Sequence, residues 1–206
     1  MNKSIPLFLA CATLVSFSFV KPITKTTKQI NVVIDAGHGG SDLGATSSFG
    51  TEKLIVEQIT KKIKFLNKNE NVIVHLTRNE DKNLSLSDRA VIINTIKPDL
   101  VLSLHVNIST NVAKSGMEFY VANESVAFEK SAEIANALRT KFTQNNSLPS
   151  SEVKKAPFFI LKKSVVPAIV VELGYLSNLT DRAYLTDEKE QDKIASTILS
   201  FVSELK

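Results

Sequence analysis

One α/β domain, built on a twisted and mostly parallel sheet flanked by helices, is the fold class that this sequence predicts. Apolar runs rich in Val and Ile alternate with amphipathic stretches, the pattern of strands buried on both faces and joined by helices. The chain has 206 residues and 43% hydrophobic content, enough for one sizeable core and too short for two ordinary domains. It contains no internal repeat and no low-complexity segment, and no separate binding module is expected.

Strands are expected at Ile30 to Asp35, Val72 to Thr77, Leu100 to His105, Met117 to Val121 and Ala168 to Glu172, each a short run of mainly apolar, often β-branched residues. Helices are expected at Glu52 to Leu66, Leu86 to Thr95, Ser125 to Phe142 and Glu188 to Leu205. In the first, Leu54, Ile55, Ile59, Ile63 and Leu66 recur every three or four residues, and Ile134, Leu138 and Phe142 do the same in the third. Thr51 stands where an N-cap belongs.

The N-terminus reads as an export leader. A short cationic start, Met1-Asn2-Lys3, precedes the uncharged apolar run Ile5 to Val20, whose core is nearer a secretory apolar region than the roughly 20 residues that span a bilayer. This divides the chain into a leader at 1–20, a linker at 21–30 and a domain at 31–206. The cleavage site is weakly marked, with Ser16-Phe17-Ser18 as the small-x-small alternative, and an uncleaved anchor is the competing reading. Cys11, the only cysteine, falls inside the leader in a poor lipidation context, so the domain has no disulfide and must be held by its core and by any metal it binds. The formal charge of +4 is spread along the chain, with short pairs at Lys61-Lys62, Lys154-Lys155 and Lys162-Lys163. A mild basic excess suits an anionic wall polymer, while the lack of a basic block interleaved with aromatics argues against nucleic acid. A monomer with no stable membrane contact after leader removal is expected.

Three blocks carry the chemistry: Asp35-Ala36-Gly37-His38-Gly39-Gly40 with Glu52 shortly after, Ser103-Leu104-His105-Val106-Asn107, and Val171-Glu172-Leu173-Gly174-Tyr175. They set histidine and glutamate at strand ends or at a helix start, where α/β sheets place their sites. Two imidazoles and a carboxylate make a zinc ligand set with an open position, and a fourth acidic group can carry the proton of the activated water, so the set implies hydrolysis. The glycines around His38 permit a sharp turn that projects its imidazole; a phosphate loop would instead show Gly-Lys-Ser/Thr. Alone, Glu52 would be a helix N-terminal acid, with Glu57 its nearest rival as a ligand, and His105 would be a buried strand histidine. Glu172 ends an apolar run, where a carboxylate is costly unless it meets a cation or a proton-transfer partner; a salt bridge to Arg78 or Arg89 is the alternative. His75, mid-strand, reads as an ordinary strand histidine.

The wording and order of six motifs add a resemblance. Asp35 to Ala45 (Asp-Ala-Gly-His-Gly-Gly-x-Asp-x-Gly-Ala), Glu52-Lys53, Leu76-Thr77-Arg78 with Asp81, Leu84-Ser85-Leu86 with Arg89, Ser103 to Asn107, and Val171 to Asn178 occur in sequence. From about Asn31 to the C-terminus the chain resembles the zinc-dependent N-acetylmuramoyl-L-alanine amidases of bacterial cell walls, the type-3 amidase family. That resemblance implies a phosphorylase/hydrolase-like α/β fold and Zn²⁺ as cofactor. It implies His38, Glu52 and His105 as metal ligands, Glu172 as catalytic acid/base, and peptidoglycan as substrate in the periplasm or at the cell exterior. Arg78, Asp81 and Arg89 match family elements but read as charges that pin loops, and Asp42 as a shaper of the glycine loop that does not bind metal.

The bond implied is the amide joining the lactyl group of N-acetylmuramic acid to L-alanine. Some family members insert a helix that plugs the zinc site until an activator removes it; here Asn123 to Pro157 holds a single long helix and a polar loop, which implies an open, shallow cleft. The competing readings are a catalytically silent wall-binding protein of the same fold and a zinc carboxypeptidase acting on stem peptides, which would be expected to present an arginine to the substrate carboxylate.

Overall fold

A computed structural model describes residues 29–205, so the leader, Cys11 and most of the linker lie outside the described residues. Six strands form the main sheet in the order β4-β1-β5-β8-β6-β7. These are β1 (Ile30–Ala36), β4 (Val72–Leu76), β5 (Leu100–Asn107), β6 (Glu118–Val121), β7 (Lys154–Lys155) and β8 (Ala168–Tyr175). β4, β1, β5 and β8 are mutually parallel, while β6 runs antiparallel to β8 and carries β7 parallel to itself. A separate pair, β2 (Thr46–Ser47) and β3 (Gly50–Thr51), makes a small hairpin ahead of the first helix.

Because successive side chains in a strand point to opposite faces, each central strand feeds two cores. On one face Val32, Ile34, Leu102, Leu104, Ile169 and Val171 pack beneath α1 (Glu52–Leu66), α3 (Phe128–Asn145) and α6 (Glu188–Ser203). On the other, Val33, Val101, Ala168 and Val170 meet Ile93 of α2 (Leu86–Ile96) and Ile160 and Leu161 of α4 (Phe159–Lys163). The first core is much the larger. The second leaves one side of the sheet thinly covered near the carboxyl ends of β1, β5 and β8.

Every expected strand and helix is present. α1 spans the expected residues, capped by the Thr51 hydroxyl, which accepts from the Leu54 N–H at 3.4 Å. α3 begins at Phe128 and not at Ser125, because the Ser125 hydroxyl accepts from the Ala127 N–H and its carbonyl from the Phe128 N–H, which spends that residue on a turn. α4, α5 (Leu179–Thr186) and the two-residue strands are additions. α4 is too short to show a helical period. α5 starts just after Asn178, whose side chain accepts from the Thr180 and Asp181 N–H groups. Among the described residues no helix is long and apolar enough to cross a membrane.

Candidate metal centre and active site

The glycine turn after β1 brings His38 to the carboxyl end of the sheet at a conformational cost. His38 itself has φ +61°, and Gly39, Gly40 and Gly44 have φ of +132°, +59° and +65°. A non-glycine residue in the left-handed region is strained by roughly 1–2 kcal/mol, so the loop must be held from outside. Arg89 does this by donating to the carbonyls of Ala36 and His38, both at 2.6 Å, while paired with buried Asp35 at 2.6 Å. Arg78 donates to the carbonyls of Ala36 and Gly37 and pairs with Glu57 at 2.9 Å. Asp81 accepts from the Gly40 N–H at 2.7 Å and pairs with Lys53 at 2.9 Å. These three charged residues thus pin the loop, as expected. Both arginines are engaged with other carboxylates, which leaves Glu172 without the arginine salt bridge weighed against it, and Glu57 is tied to Arg78 and away from the histidines.

Gly37 serves a different purpose from its neighbours. A Cβ there would lie 2.5 to 2.9 Å from three atoms of the His105 imidazole, and one on Gly44 would lie 2.4 Å from Glu52 Oε2 and 2.7 Å from the His38 ring. These two glycines are the space into which the three side chains converge.

Glu52 opens α1 and is almost fully buried, at 5% exposure. Its Oε1 lies 3.0 Å from His38 Nε2 and 2.9 Å from His105 Nδ1, and it accepts from the Val106 N–H at 3.0 Å. Its Oε2 accepts from the Ala45 N–H at 2.8 Å. One ligand-type atom from each of His38, Glu52 and His105 falls within a 4.8 Å group. Donors around a tetrahedral zinc with bonds of about 2.0–2.1 Å sit about 3.3 Å apart, so little movement separates this cluster from a ligand set. Burial alone would raise the Glu52 carboxyl, but hydrogen bonds from His105 and His38 hold it well below the usual carboxylate range. Its charge in turn raises the proton affinity of His38 against the effect of burial. A metal ion binding here would therefore displace protons from the imidazoles and would bind more weakly as pH falls.

Asp42 carries a role that the sequence reading did not assign. Its Oδ2 lies 2.9 Å from His38 Nδ1, and its Oδ1 accepts from the Gly44 N–H at 3.1 Å. A carboxylate on the far nitrogen of an imidazole fixes the ring so that the near nitrogen faces the metal. Asp42→Asn is therefore expected to weaken metal binding by about 10- to 100-fold without unfolding the protein. Titration with a competing chelator measures this, and unchanged affinity would assign Asp42 to loop shape alone.

Glu172 stands beside this cluster through sheet register. It faces His105 across the parallel β5–β8 pair and Glu118 across the antiparallel β6–β8 pair. Its Oε2 is buried with no hydrogen-bond partner among the described residues. Burial pushes its carboxyl up to about 7, with the Glu52 and Glu118 charges adding to the rise and His105 opposing it. A carboxyl that titrates near neutrality can take and return a proton at working pH. Glu118 was not singled out from sequence. It is buried and accepts from Tyr120 OH at 2.6 Å and Asn107 Nδ2 at 3.1 Å, and it pairs with Lys154. His75 bonds to Asn31 between the edge strand β4 and β1, away from the site.

The site opens into a cleft of about 240 Å³ on the thinly covered face, lined among others by His38, Asp42, Leu84, His105 and Ile160. Asn146 bonds to Thr197 and Tyr184, and Glu152 pairs with Arg139, so the segment after α3 is tied to helices and to β6 and not to the histidines.

Residues 32–204 match the family described as N-acetylmuramoyl-L-alanine amidase. A relative named probable cell wall amidase LytH, from Staphylococcus epidermidis, is 30% identical over 175 residues, covering 84% of this chain and 57% of the relative. The chain thus spans little more than half of that protein's length. Among solved structures, the catalytic domain of the amidase CwlV from Bacillus (Paenibacillus) polymyxa is 31% identical with a TM-score of 0.78, covering 85% of this chain and 97% of that domain. An N-acetylmuramoyl-L-alanine amidase from Clostridium difficile 630 is 31% identical with a TM-score of 0.80, covering 86% and 96%. The family match over most of the chain and the likeness in sequence and fold to these solved structures agree, and the chain belongs to the N-acetylmuramoyl-L-alanine amidase family.

Proposed function

We propose that this protein is a zinc-dependent peptidoglycan hydrolase that cleaves the amide between the lactyl group of N-acetylmuramic acid and L-alanine of the stem peptide. His38, Glu52 and His105 hold the ion, and Glu172 moves the proton. One observation carries the reading: three donor atoms cluster at the rim of an open cleft, beside a carboxyl whose buried oxygen has no hydrogen-bond partner among the described residues. Zinc at that point supplies Lewis-acid polarisation of a carbonyl and lowers the pKa of water toward about 7.

The chain's own groups do the rest. Glu52, buried and ionised, offsets the cation's charge, and Asp42 keeps the His38 ring aimed at it. Glu172 Oε2 takes a proton from the attacking water as the new C–O bond forms, then delivers it to the nitrogen as the C–N bond breaks. The products are a lactyl carboxylate on the glycan and the free amino group of the stem peptide. Relatives named as cell wall amidases support a place of action at the wall, outside the membrane; the leader read at 1–20 would take the protein there. The tethering of the segment after α3 supports a site that needs no activator.

Digestion of purified sacculi by the protein alone, followed by mass spectrometry, tests this. Stem peptides with an intact N-terminal alanine and peptide-free glycan are expected with no second protein added. Peptides shortened only at their C-termini would mean a carboxypeptidase, and no release would mean a silent binding protein. Activity that appears only with a partner would remove the unplugged-site reading.

A further inference from the structure

The sheet continues past Glu172 into groups that the proposed reaction does not use. Glu118 lies opposite Glu172, Tyr120 lies opposite Val170, and Lys154 is the register partner of Tyr120 on the edge strand β7. Directly opposed residues share a face, so Glu172, Glu118, Tyr120 and Lys154 border one surface, the face on which the cleft opens. The Tyr120 ring meets the Phe158 ring edge-on at 5.3 Å, and Phe158 leads through Phe159 to Ile160 in the cleft lining. The strip is therefore continuous with the site.

Lys154 stands out on this strip. Exposed lysines on an edge strand ordinarily keep other chains from pairing with it, and Lys155 suits that role. The Lys154 ammonium is instead held against the Glu118 carboxylate and over the Tyr120 ring at 5.8 Å, with its side chain 43% exposed. Glu118 already accepts from Tyr120 and Asn107. An ammonium has three donors and no acceptor, so one bond to Glu118 leaves donors on a cation held at a defined place. The Tyr120 ring is met by the Lys154 ammonium on its face and by Phe158 edge-on. What this ground offers is an ammonium whose pairing with Glu118 leaves donors to spare, and a carboxylate is the acceptor that bonds a charged donor most strongly.

Distance selects which carboxylate. Adjacent strands lie about 4.8 Å apart and residues about 3.4 Å apart along them, so Lys154, two strands across and two residues along from Glu172, stands about 12 Å away, the span of three to four extended residues. We propose that Lys154, held by Glu118 beside Tyr120, anchors a carboxylate of the stem peptide within about four residues of the scissile amide. This rests on the amidase reading, and it makes Lys154 a specificity residue for unamidated stem peptides.

Calorimetric titration of the full protein with the free stem tripeptide, and with the same tripeptide carrying carboxamides in place of its carboxyl groups, tests it. The wild type should bind the acid about three- to fivefold more tightly, the range of a partly exposed ion pair. Lys154→Met should bring the two affinities together, Lys154→Arg should keep the preference, and Lys155→Met should leave it unchanged. Lys154→Met also leaves Glu118 without its cation, which by itself disfavours the acid, so the double variant Glu118→Gln/Lys154→Met, which removes that charge, is read beside it and should likewise show no preference. Equal binding of acid and amide by the wild type, binding of neither, or a preference that survives in Lys154→Met would overturn the assignment. So would Lys154-dependent binding of N-acetylmuramic acid without that of the peptide. Sacculus digestion by the same preparation reads the amidase activity separately, so a wild-type protein that shows no acid preference yet still releases stem peptides refutes the anchor alone.

Discussion

Glu172→Gln is expected to lower turnover by about 10²- to 10⁴-fold while leaving metal content unchanged, because positioned proton transfer contributes a factor of that size. Glutamine keeps the volume and the sheet register with His105 and Glu118. It breaks no hydrogen bond at Oε2, which has none among the described residues. What it removes is a proton that can leave and return near pH 7. Muropeptide cleavage followed by chromatography, with zinc content measured on the same preparation, separates the possibilities. Glu172→Ala should behave similarly. Loss of zinc from either variant would make Glu172 a ligand and overturn its assignment as the proton carrier.

His38→Ala and His105→Ala should lose metal and turnover together, by more than the 10- to 100-fold that loss of an outer partner typically costs. Each removes one of three donors and leaves Glu52 buried without one of the imidazoles that satisfy it. His38→Ala should keep the native melting cooperativity, since its loop is held by Arg78, Arg89 and Asp81 and not by the ring. His105 lies against Gly37 and between β1 and β8, so His105→Ala is expected to lower thermal stability as well. Circular dichroism and metal analysis read these effects. A folded His38→Ala protein with full activity, or full activity after strong chelation, would rule out a metal-dependent reaction.

Local signals carried most of the elements: the β-branched runs became β1, β4, β5 and β8, the three-and-four spacing became α1, and Thr51 capped it. The loop glycines made the turn at His38 legible, since few residues tolerate positive φ. The motifs also named His38, Glu52, His105 and Glu172, although Glu52 and His105 taken alone read as a capping acid and a core histidine.

Convergence is a property of three-dimensional packing. That Glu52 reaches both imidazoles depends on α1 crossing over β5, and that Glu172 stands next to His105 depends on β8 pairing with β5 in one register. A shift of one residue would turn Glu172 into the opposite core, because side chains alternate faces. Gly37 looked like one more turn glycine; only its closeness to the His105 ring shows that it is there for space. Glu118 and Lys154 were hidden for the same reason, because they meet across β6 and β7 from positions 36 residues apart; Asp42 read as a shaper of the glycine loop, and only the folded turn sets its carboxylate against the ring of His38, four residues earlier. Local propensity and pattern are written residue by residue and survive without the fold, whereas ligand distances, the unpartnered Glu172 oxygen and the Lys154–Glu118 pair arise where strands distant in sequence are brought together by burial of the two cores.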